Sequence, residues 1–108
     1  MGRTYNKLVR DLIPEIIQSN GEKPVTRILD DAEYKVELET KLNEEYMEVL
    51  GTTTSNERIE ELADMIEIIS ALAVVEGKTL DDVVECAKQK RSKRGGFEKK
   101  IFLEKVEE

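Results

Sequence analysis

Residues 32–76 read AEYKVELETKLNEEYMEVLGTTTSNERIEELADMIEIISALAVVE, and the apolar residues of this stretch recur at helical spacing on either side of a short polar break. The pattern predicts one helix over residues 32–50, ended by Gly51 in the left-handed conformation that glycine favours after a helix. It predicts a second helix over residues 57–76. A connection as short as residues 52–56 is typical between antiparallel helices, so two long helices are expected to lie side by side.

Two further helices are predicted outside this pair. Residues 11–20 form a first helix that has Pro14 in its first turn, where the missing N–H is not needed, and Gly21 after its end. A fourth helix begins at residues 79–82, Thr-Leu-Asp-Asp, which resemble a capping box, and ends before Gly95.

The expected fold is therefore all-α, an antiparallel bundle of about four helices in a single domain over residues 1–108. The β-branched and apolar residues of 25–29 and 101–106 also predict a small β pairing between these two segments.

Composition excludes several classes of protein. Charged residues make up 38% of the chain and the formal net charge is −7, which argues against binding a nucleic acid polymer through its phosphates. The start of the chain has no apolar secretion segment, and no stretch is apolar enough to span a membrane, so a cytoplasmic protein is expected. The lone Cys86 fits a reducing compartment and is expected to pack against an apolar face.

The sequence contains no histidine, which excludes the Ser-His-Asp and Cys-His nucleophiles and the histidine zinc sites. Glycine-rich phosphate loops of the GxxxxGK[ST] and GxGxxG types are also absent. Any chemistry must depend on carboxylates, Lys, Arg or a hard metal ion.

Glu45 occupies an unusual position for a carboxylate. It falls in the stripe formed by Tyr34, Leu38, Leu42 and Val49, which is the face that the first long helix should bury. An ionised acid in an apolar setting shifts its pKa, pairs with a cation or binds a metal. Glu45 is therefore a candidate metal ligand.

The second long helix has a matching pair of acids. Glu61 and Asp64 begin a stripe that becomes apolar towards its end, and Glu45 and Glu48 form a similar pair on the first long helix. If the helices are antiparallel, the two pairs face each other, and four hard oxygen donors suit Mg²⁺ or Mn²⁺. The alternative is that these acids are solvated, because Glu is a strong helix former and such spacing arises by chance.

The second long helix also indicates self-association. It is apolar on more sides than the other helices of one chain can cover, with a neighbouring stripe formed by Leu62, Met65, Ile66, Ile69 and Ala73. We expect at least a homodimer, in which the stripe of Ile68, Ala71 and Val75 is buried against a second copy.

Glu44-Glu45-x-x-Glu48 followed by Glu61-x-x-Asp64 resembles the EExxE…ExxD signature of the all-α nucleotide pyrophosphohydrolases, a superfamily that includes the MazG-like enzymes and phosphoribosyl-ATP pyrophosphohydrolase. Residues 5–17 and 93–103 are similar to a compact group of stand-alone MazG-like proteins, so the resemblance extends over nearly the whole chain.

The resemblance implies Mg²⁺ bound by Glu45, Glu48, Glu61 and Asp64, with Mn²⁺ as a substitute. It further implies conversion of a nucleoside or deoxynucleoside triphosphate, which could be non-canonical, to the monophosphate and pyrophosphate. Water attacks the α-phosphorus, and any of Glu44, Glu45 and Glu48 could orient it.

Basic residues at the two ends of the chain are expected to hold the leaving phosphates. Lys7 and Arg10 lie near one end, and Lys90 and Arg94 lie in the last turns of the fourth helix. These four residues are the predicted substrate-phosphate ligands.

Two other functions remain open from the sequence. The same acids would serve phosphoribosyl-ATP hydrolysis in histidine biosynthesis, and a non-catalytic helical dimerisation module would leave them solvated.

Overall fold

The computed structural model describes residues 2–108 and contains four α-helices with no strand in that range. The predicted all-α class is confirmed. The helices are α1 Ile13–Ser19, α2 Asp31–Leu50, α3 Ser55–Val75 and α4 Leu80–Arg94. Within the described chain, none of them combines the length and the apolar character that crossing a membrane requires.

Side-chain caps explain where the two longest helices, α2 and α3, begin. The Asp30 carboxylate accepts a hydrogen bond from the Glu33 N–H at 2.8 Å, and the Thr54 hydroxyl accepts one from the Glu57 N–H at 3.2 Å. Each cap satisfies an N–H group that has no partner inside the helix. The predicted helix bounds agree with the structure to within a few residues, and Thr54 is a cap that the sequence pattern did not single out.

The end of α2 differs from the prediction in one detail. Gly51 follows the helix as expected, but its φ is −87°, so it does not adopt the left-handed conformation. The chain instead continues as a loose turn, in which the Gly51 N–H donates to the Met47 and Glu48 carbonyls.

The core lies between α2 and α3. Leu38 and Val49 of α2 and Ile68 and Ala73 of α3 are the buried apolar residues among those described. Leu38 and Val49 belong to the stripe predicted to face the core, and Glu45 of that stripe is half-buried. The patterning of α2 thus predicted correctly which face turns inward.

The helix α4 packs against α3 but leaves most of its own surface in solvent. Cys86 is exposed, so the expectation that it packs against an apolar face is wrong. The reason is that α3 is the only helix in contact with α4 in the described chain, and it covers Leu80 more than the residues that follow.

The predicted β pairing of residues 25–29 with 101–106 is also wrong. Val25 and Ile28 are more than 90% exposed, and Phe102 is 86% exposed. Both segments have β-compatible residues, but a two-stranded ribbon with neither face packed on a helix or a third strand is only marginally stable.

The overall shape is extended. The radius of gyration is 18.5 Å, whereas a compact domain of this length has one of about 13 Å. The helix α1 packs on none of α2, α3 and α4 within residues 2–108. Much of the apolar surface of the chain is therefore left without a partner.

The exposed face of α3 is different from the one predicted to form a dimer contact. Ile68 is buried against α2 in the same chain, so the stripe of Ile68, Ala71 and Val75 is not free as a whole. On the opposite side of α3, Ile59, Leu62 and Ile66 are 65%, 41% and 52% exposed, and Val74 and Val75 are exposed near the end of the helix.

Candidate functional site

Three acids converge where α2 and α3 meet. Glu45 of α2 and Glu61 and Asp64 of α3 each offer a carboxylate oxygen, and these oxygens lie within 4.8 Å of one another. Glu61 and Asp64 share one face of α3 because residues three apart lie on the same side of a helix. Glu45 meets them because it occupies the core-facing stripe of α2.

Two oxygens of this cluster are buried without a hydrogen-bond donor. They are Oε2 of Glu45 and Oε2 of Glu61. A carboxylate can only accept hydrogen bonds, so neighbouring carboxylates cannot satisfy one another unless a proton or a cation lies between them. Leaving such atoms unpaired costs free energy. A proton or a cation bound between the carboxylates would remove this cost.

The pKa values of Glu45 and Glu61 are raised above the ordinary value of a glutamate. The hydrogen bonds that a protonated Glu61 can donate to Glu48 and to Glu45 raise its pKa to about 7, and burial acts in the same direction. Burial is the largest cause that raises the pKa of Glu45; hydrogen bonding with Glu61 opposes it, and the charges of Glu48 and Asp64 add to it. A carboxyl group that holds a proton close to neutral pH can exchange it for a metal ion.

Glu48 lies at the edge of the cluster. It is exposed on α2 and comes within hydrogen-bonding reach of Glu61, but it is not one of the three residues whose oxygens converge. Of the four predicted metal ligands, the structure brings three together and places the fourth beside Glu61.

Glu44 has a different environment. It is half-buried, and its carboxylate forms a salt bridge of 3.7 Å with Lys41, one turn earlier on α2. Of the three acids predicted to orient water, Glu44 is thus the one whose charge is already matched by a cation.

Lys41 also lies near the acids, although the sequence pattern did not predict it as a site residue. Its side chain is only 20% exposed, and its charge lowers the pKa of Glu45 against the stronger effect of burial. The available signal was its spacing, because Lys41 and Glu45 are four residues apart on one face of α2.

Of the predicted phosphate ligands, Arg10 is the one in contact with the cluster. Its Nη2 atom donates to Oδ1 of Asp64 at 2.6 Å, across a sequence separation of 54 residues. Lys7 instead lies over the ring of Tyr5, with Nζ 5.8 Å from the ring centroid.

Lys90 and Arg94 lie on the exposed last turns of α4, and neither forms a salt bridge to another residue in the range 2–108. Arg94 borders a cleft formed with the loop that follows α4, residues 95–101. Contact of these two residues with the acid cluster is not seen.

The donor set fits a hard divalent cation. All three converging groups are carboxylates, and no histidine or cysteine belongs to the group in the described part of the chain. Oxygen-only sites of this kind suit Mg²⁺ or Mn²⁺, and such an ion would satisfy the two unpartnered oxygens.

Comparison with known proteins yields little beyond this geometry. No family model matches the chain, and no solved structure matches it. An uncharacterized protein of Mycolicibacterium smegmatis is 44% identical over 54 residues, which are 50% of this chain and 55% of that protein. The match thus spans only about half of each protein.

Proposed function

We propose that this chain belongs to the all-α nucleotide pyrophosphohydrolases and that it hydrolyses a nucleoside or deoxynucleoside triphosphate to the monophosphate and pyrophosphate, with Mg²⁺ as cofactor. The observation that supports this most is the convergence of Glu45, Glu61 and Asp64, with two buried oxygens that lack a donor. These are three of the four residues that the EExxE…ExxD resemblance marks as metal ligands; the fourth is Glu48.

The proposal includes an antiparallel arrangement of α2 and α3. Lys35 near the start of α2 pairs with Glu76 just after α3 at 3.7 Å. Near the other end of the pair, Arg58 donates to the Val49 carbonyl at 3.4 Å. Contacts that join the start of one helix to the end of the other support this arrangement, in which the two acid pairs face each other.

In this proposal, Glu45, Glu61 and Asp64 hold the ion, and Glu48 adds a fourth carboxylate from the edge. A bound divalent ion neutralises charge on phosphate oxygens and makes a coordinated water more acidic. Glu44, Glu45 and Glu48 all lie on α2, so they can orient a water on that side of the cluster for attack on the α-phosphorus. Glu44 is the least available of them, because Lys41 already holds it.

The basic residues have the complementary role. Pyrophosphate leaves with developing negative charge, which cations stabilise. Arg10 is the best placed of the four predicted residues, because its guanidinium already contacts the cluster. Lys7, Lys90 and Arg94 can take part only if the ends of the chain approach the cluster when substrate binds.

The test is a panel of canonical and modified nucleotides, with phosphoribosyl-ATP included, assayed with Mg²⁺ for release of pyrophosphate and of phosphate. Reaction in ¹⁸O-water should place the label in the monophosphate. Glu45→Gln and Asp64→Asn should each lower kcat by more than about 100-fold, beyond the usual effect of losing an outer-shell partner. Glu39→Gln, an exposed acid on the same helix, should retain full activity.

Other outcomes would replace the proposal. Labelled orthophosphate and a diphosphate would mean that the terminal phosphate is released. Turnover of phosphoribosyl-ATP alone would indicate the histidine-pathway activity. Absence of turnover and of Mg²⁺ binding would favour a non-catalytic dimerisation module.

A further inference from the structure

The salt bridge between Arg10 and Asp64 joins the N-terminal part of the chain to the acid cluster. Among the described residues it is the only hydrogen bond between residues 2–20 and the helices α2, α3 and α4. The helix α1 does not pack on those helices. The position of Arg10 therefore depends on Asp64 more than on a surrounding core.

Arg10 pairs with a carboxylate, that of Asp64, which also belongs to the proposed metal site. Asp64 is one of the three converging acids, and its Oδ1 accepts from Arg10 at 2.6 Å. A guanidinium and a divalent ion are both attracted to carboxylate oxygens, and placing both positive charges beside one carboxylate is unfavourable.

The salt bridge is also weak enough to be exchanged. The side chains of Arg10 and Asp64 are 56% and 41% exposed, and pairs of this kind contribute little net free energy because water solvates both partners well. A divalent ion bound by three carboxylates interacts with more charge than the single guanidinium does. Displacement of Arg10 by the ion is thus favourable on charge alone.

We infer that Arg10 is a resident counter-cation, which a divalent ion displaces from Asp64 and which then binds the phosphate groups of the incoming ligand. This inference rests on the proposed metal site. The guanidinium fork suits both partners, because it donates in parallel to carboxylate or to phosphate oxygens. The exchange couples the two ligands, since metal binding releases the residue that recognises phosphate.

Removing Arg10 should change the affinity for Mg²⁺ in a way that removing an ordinary phosphate ligand does not. A residue that only binds phosphate has no effect on Mg²⁺ binding in the absence of nucleotide. Removal of Arg10, in contrast, removes a competitor and a positive charge from beside the ion. Arg10→Gln should therefore bind Mg²⁺ more tightly, by about three- to tenfold.

The experiment is calorimetric titration of the full chain with Mg²⁺ alone at pH 8, together with an electron paramagnetic resonance titration with Mn²⁺. The matched control is Arg3→Gln, which removes the same charge from another exposed salt bridge of the N-terminal segment, Arg3 with Glu22 at 2.9 Å. We expect tighter binding only in Arg10→Gln. Pyrophosphate, titrated at saturating Mg²⁺, should bind at least about fivefold more weakly to Arg10→Gln than to the wild type or Arg3→Gln.

Hydrogen exchange provides a readout that a merely structural role for Arg10 would not affect. Addition of Mg²⁺ to the wild type should increase amide exchange in residues 5–12, because their link to α3 is lost, and should decrease it around the acids of α2 and α3. In Arg10→Gln, exchange in residues 5–12 should already be fast and should not respond to Mg²⁺.

Three results would overturn the inference. Unchanged or weaker Mg²⁺ affinity in Arg10→Gln would show that Arg10 does not compete with the ion, and decreased exchange in residues 5–12 on adding Mg²⁺ would show that the salt bridge persists. Either result leaves the proposed metal site intact. Failure of the wild type to bind Mg²⁺ or Mn²⁺ would remove the proposed function, and this inference with it.

Discussion

Glu61 lies within hydrogen-bonding reach of Glu45 and Glu48 on the other long helix. The hydrogen bonds that its protonated form can donate to them raise its pKa from the ordinary 4.5 to about 7. The folded chain therefore retains a proton on Glu61 at a pH where the unfolded chain has released it. By linkage, the stabilisation from this proton is fully present below about pH 4.5 and is lost as the pH rises through about 7.

We therefore expect the metal-free wild type to have a lower Tm at pH 8 than at pH 5.5. In Glu61→Gln this Tm difference should lose the contribution of Glu61, because glutamine is uncharged at both pH values. Mg²⁺ should raise the Tm of the wild type more at pH 8 than at pH 5.5, since the ion takes the place of the proton. Calorimetric melting of both proteins with and without Mg²⁺ measures this. An equal effect of pH on the wild type and on Glu61→Gln would contradict the expectation.

At the scale of the element, α4 depends on its cap more than on its packing. The Thr79 hydroxyl accepts from the Asp82 N–H at 3.2 Å, and the Asp82 carboxylate accepts from the Thr79 N–H at 2.9 Å. The second bond lowers the pKa of Asp82. The cap predicted at residues 79–82 is thus confirmed, with Asp in the place where Glu or Gln is commoner.

Thr79→Ala should destabilise the chain by about 0.5–2 kcal/mol, the usual effect of losing a helix cap. Because α4 packs on α3 alone within the described chain, the loss should be concentrated in residues 80–94. Hydrogen exchange of the α4 amides, together with urea unfolding, measures both effects. Ser92→Ala on the exposed side of the same helix is the control, and equal exchange in the two variants would count against a role for the cap.

At the scale of the whole molecule, the extended shape and the exposed apolar face of α3 favour self-association. Ile59, Leu62 and Ile66 leave apolar surface in solvent, and burial of such surface is the main driving force of association. The stripe predicted from the sequence lies on the opposite side of α3, and its Ile68 is already buried in the core of the chain.

We expect light scattering at micromolar concentration to give a mass at least twice the 12.4 kDa of one chain. Leu62→Glu should shift the protein towards the monomer, because a charge on the α3 face opposes burial there. Val25→Glu, which changes an equally apolar but fully exposed residue outside the helices, should leave the mass unchanged. A wild-type mass of one chain would exclude the homodimer.

Local features of the sequence determined the helices and the inward position of Glu45. Caps such as Asp30 and Thr79 act over three or four residues, and helical periodicity determines which residues share a face. Both can be inferred without knowledge of the fold. They predicted four helices, nearly correct bounds and the core-facing stripe of α2.

Only the tertiary structure decided which of the predicted groups meet. The contact of Arg10 with Asp64 spans 54 residues, the predicted pairing of residues 25–29 with 101–106 does not form, and Glu48 lies beside the converging acids. These outcomes depend on how the helices are placed against each other and on what covers each surface. Neither is encoded in the spacing of residues along one helix, because long-range contacts form only where packing offsets the entropy of bringing distant segments together.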